Sequence, residues 1–394
     1  MTAADGPPLL TINTGSSSLK AALYRAERRD VAAEVERIGR SDSHVRITDA
    51  HGSALLDERG DVPDHAAAFE VLSTWLHREH RDVDLDGVGH RVVHGGSQHT
   101  EPQLITGELV SALQQLVAID PEHLPQALAA IEATRRAFPS VPQVACFDTA
   151  FHRRMPAVAQ RYPLPRQVLG ADVVRYGFHG LSYESVLHQL GVIDPAAASG
   201  RLIIAHLGNG ASMAALRGGT SIETTMGFTP TGGLVMGTRS GDLDPGVLLY
   251  LLQVQGMSPA ALNQLVNRQA GLLGVSGASA DMRDLLEREA ADPRAAEAIE
   301  LFCYQAKKFL GALAAVLGGL ETLVFTGGIG EHAAPVRQCI CAGLEFLGVA
   351  LDPRRNEVGA SIISREGSPV TVRVMATDED LMIARHTARL ICAA

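Results

Sequence analysis

Short apolar segments separated by polar turns open both halves of this chain. Residues 9–12 (LLTI) and 19–24 (LKAALY) flank the turn NTGSSS, and residues 202–205 (LIIA) and 212–216 (SMAAL) flank HLGNGA. An apolar run, a tight polar turn and a second apolar run predict strand, turn and strand in each place.

The two predicted hairpins also resemble each other in sequence. A constant offset of 193 residues places Gly15 on Gly208. The same offset matches small and apolar residues of the second strands, which are Ala21 with Ala214, Ala22 with Ala215 and Leu23 with Leu216. Any two hairpins of small residues can align in this way. Because these repeats begin the two halves of the chain, we interpret them as a structural duplication.

Helical periodicity alternates with strand-like runs through both halves. Apolar residues recur at helical spacing in residues 65–80, 106–117, 125–137, 246–255 and 284–318. Strand-like runs occupy residues 86–93, 141–147 and 321–326. This alternation predicts α/β domains whose sheets are covered by helices. The polar residues 40–64 lack the pattern and predict a surface excursion of hairpins and loop.

Length and charge restrict the class of protein. A chain of 394 residues suits two domains of ~150–200 residues, with a boundary near residue 150. The formal net charge of −10 argues against nucleic acid or an anionic membrane as a main partner, because both attract basic surfaces. No apolar stretch reaches the ~18 residues of a membrane span. The segment MTAADGPPLL lacks the basic start of a signal peptide.

The cysteines indicate a reducing compartment. They are odd in number, show no CxxC spacing, and are Cys146, Cys303, Cys339, Cys341 and Cys392. We therefore expect reduced thiols in a cytoplasmic protein rather than disulfides or a metal site.

Three turns that follow buried strands are candidate phosphate sites. The first comprises residues 13–18 with Lys20, the second residues 206–212 and the third residues 326–331, ahead of a helix-like segment from Pro335. Glycines and hydroxyls at such turns expose backbone N–H groups that suit phosphate oxygens, although a serine-rich turn is more often only a hairpin. The GxxxxGK[ST] pattern of a Walker A loop is absent. Three such turns together favour one nucleotide-phosphate site.

A glycine-rich segment carries the next candidate, Arg239. Residues 208–246 contain ten glycines, yet Phe228, Leu234, Val235 and Met236 make the segment apolar enough to pack rather than form a flexible surface loop. An arginine in such a loop is a candidate clamp on transferring phosphoryl oxygens. Pairing with Asp242 or Asp244 is an equally good interpretation.

Three further residues stand where strands end or glycines cluster. Arg91 ends a strand-like run before a glycine pair, and Asp148 follows the apolar run of residues 141–147, where open α/β sheets bind ligands. Asp148 also suits a helix N-cap. His179 is bracketed by glycines, although lone histidines are usually structural.

Taken together, these segments closely resemble the acetate kinases, within the acetate and propionate kinase group. The resemblance runs in order along nearly the whole chain, through NTGSSSLK, HRVVHGG, FDTAFH, RYGFHG, HLGNGAS, MGFTP, MGTRSGDLDP, SGASADMR, TGGIGE and TDEDLMIAR. It implies an α/β protein with two duplicated, ribonuclease H-like domains of the actin, Hsp70 and sugar kinase type and a nucleotide cleft between them. The N-terminal domain would comprise residues 1–150 with about 375–394, and the nucleotide-binding domain residues 151–374.

The implied reaction is reversible phosphoryl transfer between ATP and a short carboxylic acid, which yields an acyl phosphate and ADP with Mg²⁺ or possible Mn²⁺. The resemblance implies Asp148, His179, Arg239 and Arg91 as catalytic residues and Asn13 with Glu379 as the metal site. Substrate-binding positions would be Arg91, Val93, His123, Phe178 and Pro230. Nucleotide-binding positions would be Lys20, His206, Leu207, Gly208, Asn209, Gly210, Asp281, Met282, Arg283, Gly328, Ile329, Gly330, Glu331 and His332. The family also implies a homodimer.

Two features qualify this expectation. Acetate is already ionised at neutral pH, like an aspartate with a pKa of about 3.9, so it needs no general base. We therefore hypothesise that Asp148 orients a Mg²⁺-bound water or an arginine. The family also usually reads close to APLHNP where this chain has DPEHLP. Glu122 thus replaces an apolar pocket residue, so either the register shifts or the acyl pocket differs.

Two rival functions remain from the sequence. The nearer is a kinase of the same group that prefers propionate or another short acid. The more distant is a non-catalytic nucleotide switch of the actin/Hsp70 type. Such a switch would need no acyl pocket and no second arginine, so the joint presence of Arg91, Asp148, His179 and Arg239 argues against it.

Overall fold

Strands form where the sequence places short apolar runs beside polar turns. The computed structural model describes residues 6–15, 17–79, 84–170 and 172–392. Ser16 of the first candidate turn and His80, the end of a predicted helical segment, lie outside the described residues. The strands are β1 (Pro8–Thr14), β2 (Ser18–Arg25), β3 (Arg28–Glu36), β4 (Ser43–Asp49), β5 (Ala54–Gly60), β6 (Gly87–Val92), β7 (Gln103–Leu104), β8 (Gln143–Phe147), β9 (Arg201–Leu207), β10 (Ala211–Arg217), β11 (Thr220–Thr224), β12 (Thr322–Thr326) and β13 (Thr371–Val374).

Helices occupy most of the segments with helical periodicity. They are α1 (His65–Glu79), α2 (Gly107–Leu116), α3 (Leu124–Ala137), α4 (Ala157–Gln160), α5 (Gly180–Ile193), α6 (Pro195–Ser199), α7 (Pro245–Gln253), α8 (Pro259–Gln264), α9 (Gly271–Ser276), α10 (Met282–Arg288), α11 (Pro293–Leu317), α12 (Gly327–His332), α13 (Ala334–Cys341), α14 (Pro353–Glu357) and α15 (Glu379–Ile391). The described residues divide into two units. Unit 1 runs to Phe151 and resumes at Asp378, and unit 2 is His152–Thr377.

Unit 1 is built on a sheet with the strand order β5-β4-β3-β2-β1-β6-β8-β7. Strands β1, β6 and β8 run parallel, while β2 pairs with β1 in antiparallel fashion. Alternate residues of β1 face opposite sides of this sheet. Leu10 and Ile12 join the core under α1 and α3, whereas Leu9 packs with Ala384 of α15.

A glycine lets α15 approach the sheet closely. A Cβ on Gly89 of β6 would lie 2.2 Å from Thr387 Oγ1 and 2.4 Å from Ile383 Cγ2. No side chain fits there, so the helix backbone can lie directly over β6. Asp378 caps the helix by accepting a hydrogen bond from the Leu381 N–H at 2.9 Å. The close contact and the cap together position Glu379 in the first turn of α15.

Unit 2 repeats the central topology of unit 1. Its strand order is β11-β10-β9-β12-β13, with antiparallel pairing from β11 to β9 and parallel pairing from β9 to β13. The segment β3-β2-β1-β6-β8 has the same order and the same directions. The duplication inferred from the two hairpins is therefore confirmed.

The constant offset of 193 residues is wrong for the second strand of the repeat. Thr14 pairs with Leu19 beside the first turn, whereas Leu207 pairs with Ala211 beside the second. The second turn is one residue shorter, so the equivalent positions of β2 and β10 differ by 192. Ala21 therefore corresponds to Met213 and not to Ala214, although Gly15 and Gly208 do coincide.

Three predicted elements need correction. The helical segment 284–318 is broken, because Asp292 caps α11 and Pro293 occupies its first turn, where a missing N–H costs nothing. The third glycine turn itself starts a short helix, α12 from Gly327, ahead of the helix predicted from Pro335, which is α13. Residues 40–64 do form a hairpin, but its strands extend the sheet of unit 1 and bury Val45 and Ile47.

The predicted packing of the glycine-rich segment and the predicted free thiols agree with the structure. The glycine-rich segment packs, since Leu234 and Met236 are 1% and 0% exposed. The five cysteines, all within the described residues, are free thiols. None of the described helices has both the length and the apolar character needed to cross a membrane.

A buried histidine is expected to make the stability of unit 2 depend on pH. Burial lowers the pKa of His152 to about 4. Its Nε2–H donates to the Phe178 carbonyl, and its Nδ1 lies 2.9 Å from Ser221 Oγ. The unfolded chain titrates near 6.5, so between pH 6.5 and 4 the unfolded state binds the extra proton. The free energy of unfolding should therefore fall by about 2 kcal/mol from this group between pH 7.5 and 5.

Denaturant unfolding of the wild type and of His152→Gln at both pH values checks this prediction. The loss between pH 7.5 and 5 should be about 2 kcal/mol smaller in the variant. The difference isolates His152 from His90, whose pKa burial also lowers to about 4, and from Asp380, whose raised pKa acts in the opposite sense. Equal losses in the two proteins would contradict the prediction.

Candidate active site and nucleotide site

An arginine–aspartate pair lies where the parallel strands of unit 1 end. Arg91 is near the end of β6, and Asp148 directly follows β8, so both lie at the carboxyl edge of the sheet, where open α/β sheets bind ligands. Arg91 Nη2 donates to Asp148 Oδ2 at 2.6 Å, and Nε donates to the same oxygen at 3.1 Å. This two-pronged contact fixes the plane of the guanidinium.

Two further polar side chains complete this cluster. Asn13, on β1, accepts a hydrogen bond from Arg91 Nη1 at 3.1 Å and donates from Nδ2 to Glu379 Oε2 at 2.9 Å. Glu379 Oε2 also lies 3.8 Å from Arg91 Nε. The sequence predicted these four residues in separate motifs, and the fold of unit 1 brings them together.

Burial and charge act against each other in the cluster. Burial raises the pKa of Asp148, while the charge and hydrogen bonds of Arg91 oppose that rise. Burial alone would lower the pKa of Arg91, but the attraction of Asp148 and Glu379 outweighs it and raises the pKa. Arg91 is thus the cation that compensates the buried Asp148 carboxylate.

The N-cap interpretation of Asp148 does not fit these contacts. Within the described residues, its carboxylate accepts hydrogen bonds only from Arg91. The chain then enters a short 3₁₀ turn at Ala150–His152. Asp148 therefore orients an arginine, as one arm of our hypothesis expects.

Oxygen donors at this cluster suit a small hard cation. Among the described residues there is no group of three or more His, Cys, Asp or Glu side chains that could hold a metal ion. Mg²⁺ needs no such group, because it usually takes one or two protein carboxylates and completes its shell with water and substrate phosphates. The Glu379 carboxylate and the Asn13 amide oxygen supply donors of that kind.

The first turn of α15 adds negative charge beside these donors. Burial, together with the like charges of Glu379 and Asp378, raises the pKa of Asp380 to about 7, and Lys20 opposes this. Lys20 itself lies on β2, with Nζ 3.1 Å from Glu34 Oε1 and its side chain half exposed. Its predicted contact with a nucleotide stays a prediction.

Val93 and His123 also belong to unit 1. Val93 is buried one residue beyond β6. His123 stands at the N-cap position of α3, and its Nδ1 lies 2.8 Å from Asp120 Oδ1. Phe178 and Pro230, two further predicted substrate-binding residues, are buried in unit 2.

Unit 2 contains a cavity of about 590 Å³ that collects most of the predicted nucleotide residues. Eight of them line it, namely Gly208, Asn209, Asp281, Met282, Arg283, Gly328, Ile329 and His332. The cavity lies beside the ends of β9 and β12, where the glycine turns follow the strands. Gly327 allows this, because a Cβ there would lie 2.8 Å from the Leu207 carbonyl oxygen and its φ is +76°.

The remaining predicted nucleotide residues of unit 2 lie behind the lining. Leu207 and Gly330 are buried. Glu331 Oε1 accepts a hydrogen bond from the Gly327 N–H at 3.0 Å, and His206 Nδ1 lies 2.7 Å from Ser182 Oγ. These contacts support the two turns from within. Ala280, Leu286 and Ala333 line the cavity but were missed, although Leu286 follows Met282 by one helical turn and shares its face.

His179, Arg239 and Gly210 meet at one point in unit 2. His179 adopts a left-handed backbone conformation with φ of +59°, its Nδ1 lies 2.8 Å from Ser212 Oγ, and its ring stacks on His206 at 4.3 Å. A Cβ on Gly210 would lie 2.8 Å from Arg239 Nη2 and 3.2 Å from His179 Nε2. The left-handed backbone of His179 is strained for a non-glycine residue, and such strain is common at functional sites.

Arg239 has a defined backbone anchor. Its Nη1 donates to the Pro230 carbonyl at 2.7 Å. The proposed pairing partners have other roles, since Asp242 accepts a hydrogen bond from the Gly233 N–H and Asp244 caps α7. The clamp that we assign to Arg239 stays a prediction.

The family of the chain follows from its whole sequence. The sequence model of the Acetokinase family matches residues 8–385. The chain belongs to the acetokinase family. An acetate kinase of Rhodopseudomonas palustris is 48% identical over 391 residues, which cover 97% of this chain and 98% of that protein.

Solved structures of the acetokinase family share the fold. An acetate kinase of Porphyromonas gingivalis matches with a TM-score of 0.87 at 37% identity and covers 98% of this chain and 100% of its own. A propionate kinase of Francisella tularensis matches with a TM-score of 0.91 at 35% identity and the same coverage. The duplicated, two-domain α/β architecture implied by the resemblance is therefore confirmed.

Proposed function

We propose that this member of the acetokinase family is an acetate kinase, which transfers the γ-phosphoryl group of ATP to acetate directly and reversibly. The observation that carries the proposal is the Arg91–Asp148 pair with its 2.6 Å contact. An oriented guanidinium at the end of a sheet binds a carboxylate through two N–H groups. The match to acetate kinases over nearly the whole chain supports the choice of acid.

The protein groups position charge rather than move protons. Acetate is already an anion at neutral pH, so Arg91 binds and orients it while Asp148 holds Arg91 in plane. Phosphoryl transfer passes through a loose transition state whose charge is spread over the equatorial oxygens. Arg239 and His179 are the donors in unit 2 that we assign to that charge.

We assign nucleotide binding to the cavity of unit 2. Residues of two glycine turns line one side, and the start of α10, with Met282 and Arg283, lines another. Backbone N–H groups at such turns suit phosphates, and apolar side chains suit a base. His206, Leu207, Gly210, Gly330 and Glu331 would support this site, and Lys20 is the nucleotide-binding residue that we assign in unit 1.

Mg²⁺, or Mn²⁺ in its place, would be held by Glu379 and Asn13. When bound, such an ion neutralises charge on the phosphates and favours their transfer. Asn13 already bonds both Glu379 and Arg91, so it ties the metal ligand to the acid-binding arginine. We place the reaction in the cytoplasm, where ATP and reduced thiols are found.

Propionate is the second candidate substrate, because a propionate kinase shares the fold with a TM-score of 0.91. Val93, Phe178 and Pro230 are the residues that we assign to the acyl group, and Glu122 stands where the family usually has an apolar residue. One methylene in an apolar pocket changes discrimination by only ~1–3 kcal/mol, so the two acids should overlap as substrates.

A hydroxamate assay for acyl phosphate tests the proposal. ATP and Mg²⁺ are supplied with acetate, propionate or butyrate, and kcat/KM is measured for each acid. We expect the highest value with acetate. A higher value with propionate would select the second candidate, and absence of product with every acid would exclude both.

We further propose that the chain forms a homodimer through α7. None of the nine residues of this helix is buried. Its apolar residues Val247, Leu249 and Tyr250 are 45–52% exposed, and Val254 beyond its end is 68% exposed. An apolar face of this kind usually marks an interface. A second copy of the chain would cover it around a local twofold axis.

Light scattering after gel filtration tests the dimer. Leu249→Glu should give a monomer, because two buried carboxylates would meet in the interface. Val316→Glu, at a half-exposed position of α11, is the matched control and should leave the dimer intact. A monomeric wild type would rule the proposal out.

A further inference from the structure

Asp120 is a buried carboxylate outside the predicted site. It is 2% exposed, and its Oδ1 lies 2.8 Å from His123 Nδ1. Its other oxygen, Oδ2, has no hydrogen-bond partner among the residues that the structure describes. The residue was not singled out from the sequence, where it is one of several acids before α3.

This contact fixes the orientation of the His123 ring. An ionised carboxylate only accepts hydrogen bonds, so Nδ1 must carry a proton and donate it to Asp120. With Nδ1 committed, the ring can meet a ligand only through Nε2. Among the described residues Nε2 has no hydrogen-bond partner, and the side chain is 17% exposed.

Charge links this pair to the acid-binding arginine. Asp120 is one of the charges that act on Arg91, and His123 is one of those that act on Asp148. All four residues belong to unit 1. A buried carboxylate with an incompletely satisfied oxygen is costly unless a neighbouring group compensates it, and the His123 ring is the group in contact.

We propose that Asp120 is a positioning residue for substrate binding: it holds His123 by Nδ1 and presents Nε2–H to the carboxylate that Arg91 binds. This inference rests on the proposed function, because it assumes that the ligand of Arg91 is a short carboxylate. The anionic ligand accepts, so His123 must donate through Nε2, and Asp120 is the counter-charge of the resulting cation. In metalloproteins, a carboxylate bonded to the second ring nitrogen orients histidine ligands in the same way. Loss of that carboxylate lowers metal affinity or activity about 10–100-fold.

Steady-state kinetics separate positioning from a structural role. Asp120→Ala should raise KM for acetate about 10–100-fold, and the isosteric Asp120→Asn about 10-fold, because the amide still accepts from Nδ1 but lacks the charge. Both should leave KM for ATP within about twofold and kcat within about threefold. In a His123→Ala background, Asp120→Ala should change KM for acetate less than about twofold, since the residue then has nothing to position.

Glu132→Gln is the matched control, because Glu132 is a surface acid of α3 that pairs with Arg135. It should behave as the wild type. An unchanged KM for acetate in Asp120→Ala, or an effect of equal size with and without His123, would overturn the proposal. A fall of kcat alone, with both KM values unchanged, would overturn it as well.

The wild-type protein gives an independent test, which holds even if the variants fail to fold. Nitrogen-15 NMR of the imidazoles should show a proton on Nδ1 of His123, and added acetate should shift the Nε2 resonance. An unprotonated Nδ1, or an Nε2 resonance that ignores acetate, would overturn the inference. A wild type that makes no acyl phosphate from any acid contradicts the proposed function instead, and the ring's protonation still reports on the pair.

Discussion

Arg91→Ala is expected to lower kcat/KM for acetate by about 10³-fold or more, and the free energy of unfolding by about 3–5 kcal/mol. The activity falls because the acid loses the guanidinium that binds and orients it. The stability falls because Asp148, 0% exposed, keeps a charge with no partner. Acetyl phosphate formation and urea unfolding measure the two effects on the same protein.

A second substitution separates these two causes. Arg91→Ala/Asp148→Ala removes both buried charges, so it should regain most of the lost stability while remaining inactive. Arg91→Lys keeps the charge but not the planar pair of N–H donors, and it should recover stability better than activity. If Arg91→Ala kept kcat/KM within tenfold of the wild type, Arg91 would not be the acid-binding residue.

Local sequence patterns were sufficient to predict the elements that carry the site. The turn at residues 13–18, the run before Asp148 and the turn at residues 326–331 each follow a strand whose apolar residues identify it. Because β1, β6 and β8 are parallel, the residues at their ends must share one edge of the sheet. The gathering of Asn13, Arg91 and Asp148 is thus a consequence of topology.

Contacts that depend on turn length or side-chain direction could not be predicted. The offset of 193 residues fails after Gly208 because one residue is missing from the second turn, which no strand pattern reveals. Glu379 reaches Asn13 only because Gly89 admits α15 to the sheet, and that contact spans almost the whole chain. Asp120 and His123 are three residues apart, but their pairing ahead of α3 depends on a backbone conformation that the sequence does not specify.

The helix boundaries show the same division between local and long-range causes. Pro293 interrupts the helical pattern of residues 284–318, and Asp292 before it is a good N-cap. The start of a new helix at this point could therefore be predicted from the sequence. The start of α12 at Gly327 could not be predicted from the sequence, because it depends on the close approach of Gly327 to the Leu207 carbonyl.

Gly210→Ala is expected to lower kcat by about 10²–10³-fold with little loss of stability. The new methyl group would lie 2.8 Å from Arg239 Nη2 and 3.2 Å from His179 Nε2, both at the ends of side chains. The arginine can move aside at small energetic cost, so the fold tolerates the change. The displaced guanidinium would no longer meet the charge that develops on the transferring phosphoryl group, so the effect should fall on kcat.

Two controls make this result specific to Arg239. Gly311→Ala adds the same methyl group to the interior of α11, where no atom lies within 4 Å, so it should leave kcat unchanged and stabilise the helix by up to about 1 kcal/mol. In an Arg239→Ala background, Gly210→Ala should have almost no further effect on kcat, because the side chain that it displaces is gone. An equally large effect in that background would mean that the methyl group acts through His179 or the turn itself, and Arg239 would lose its assigned role.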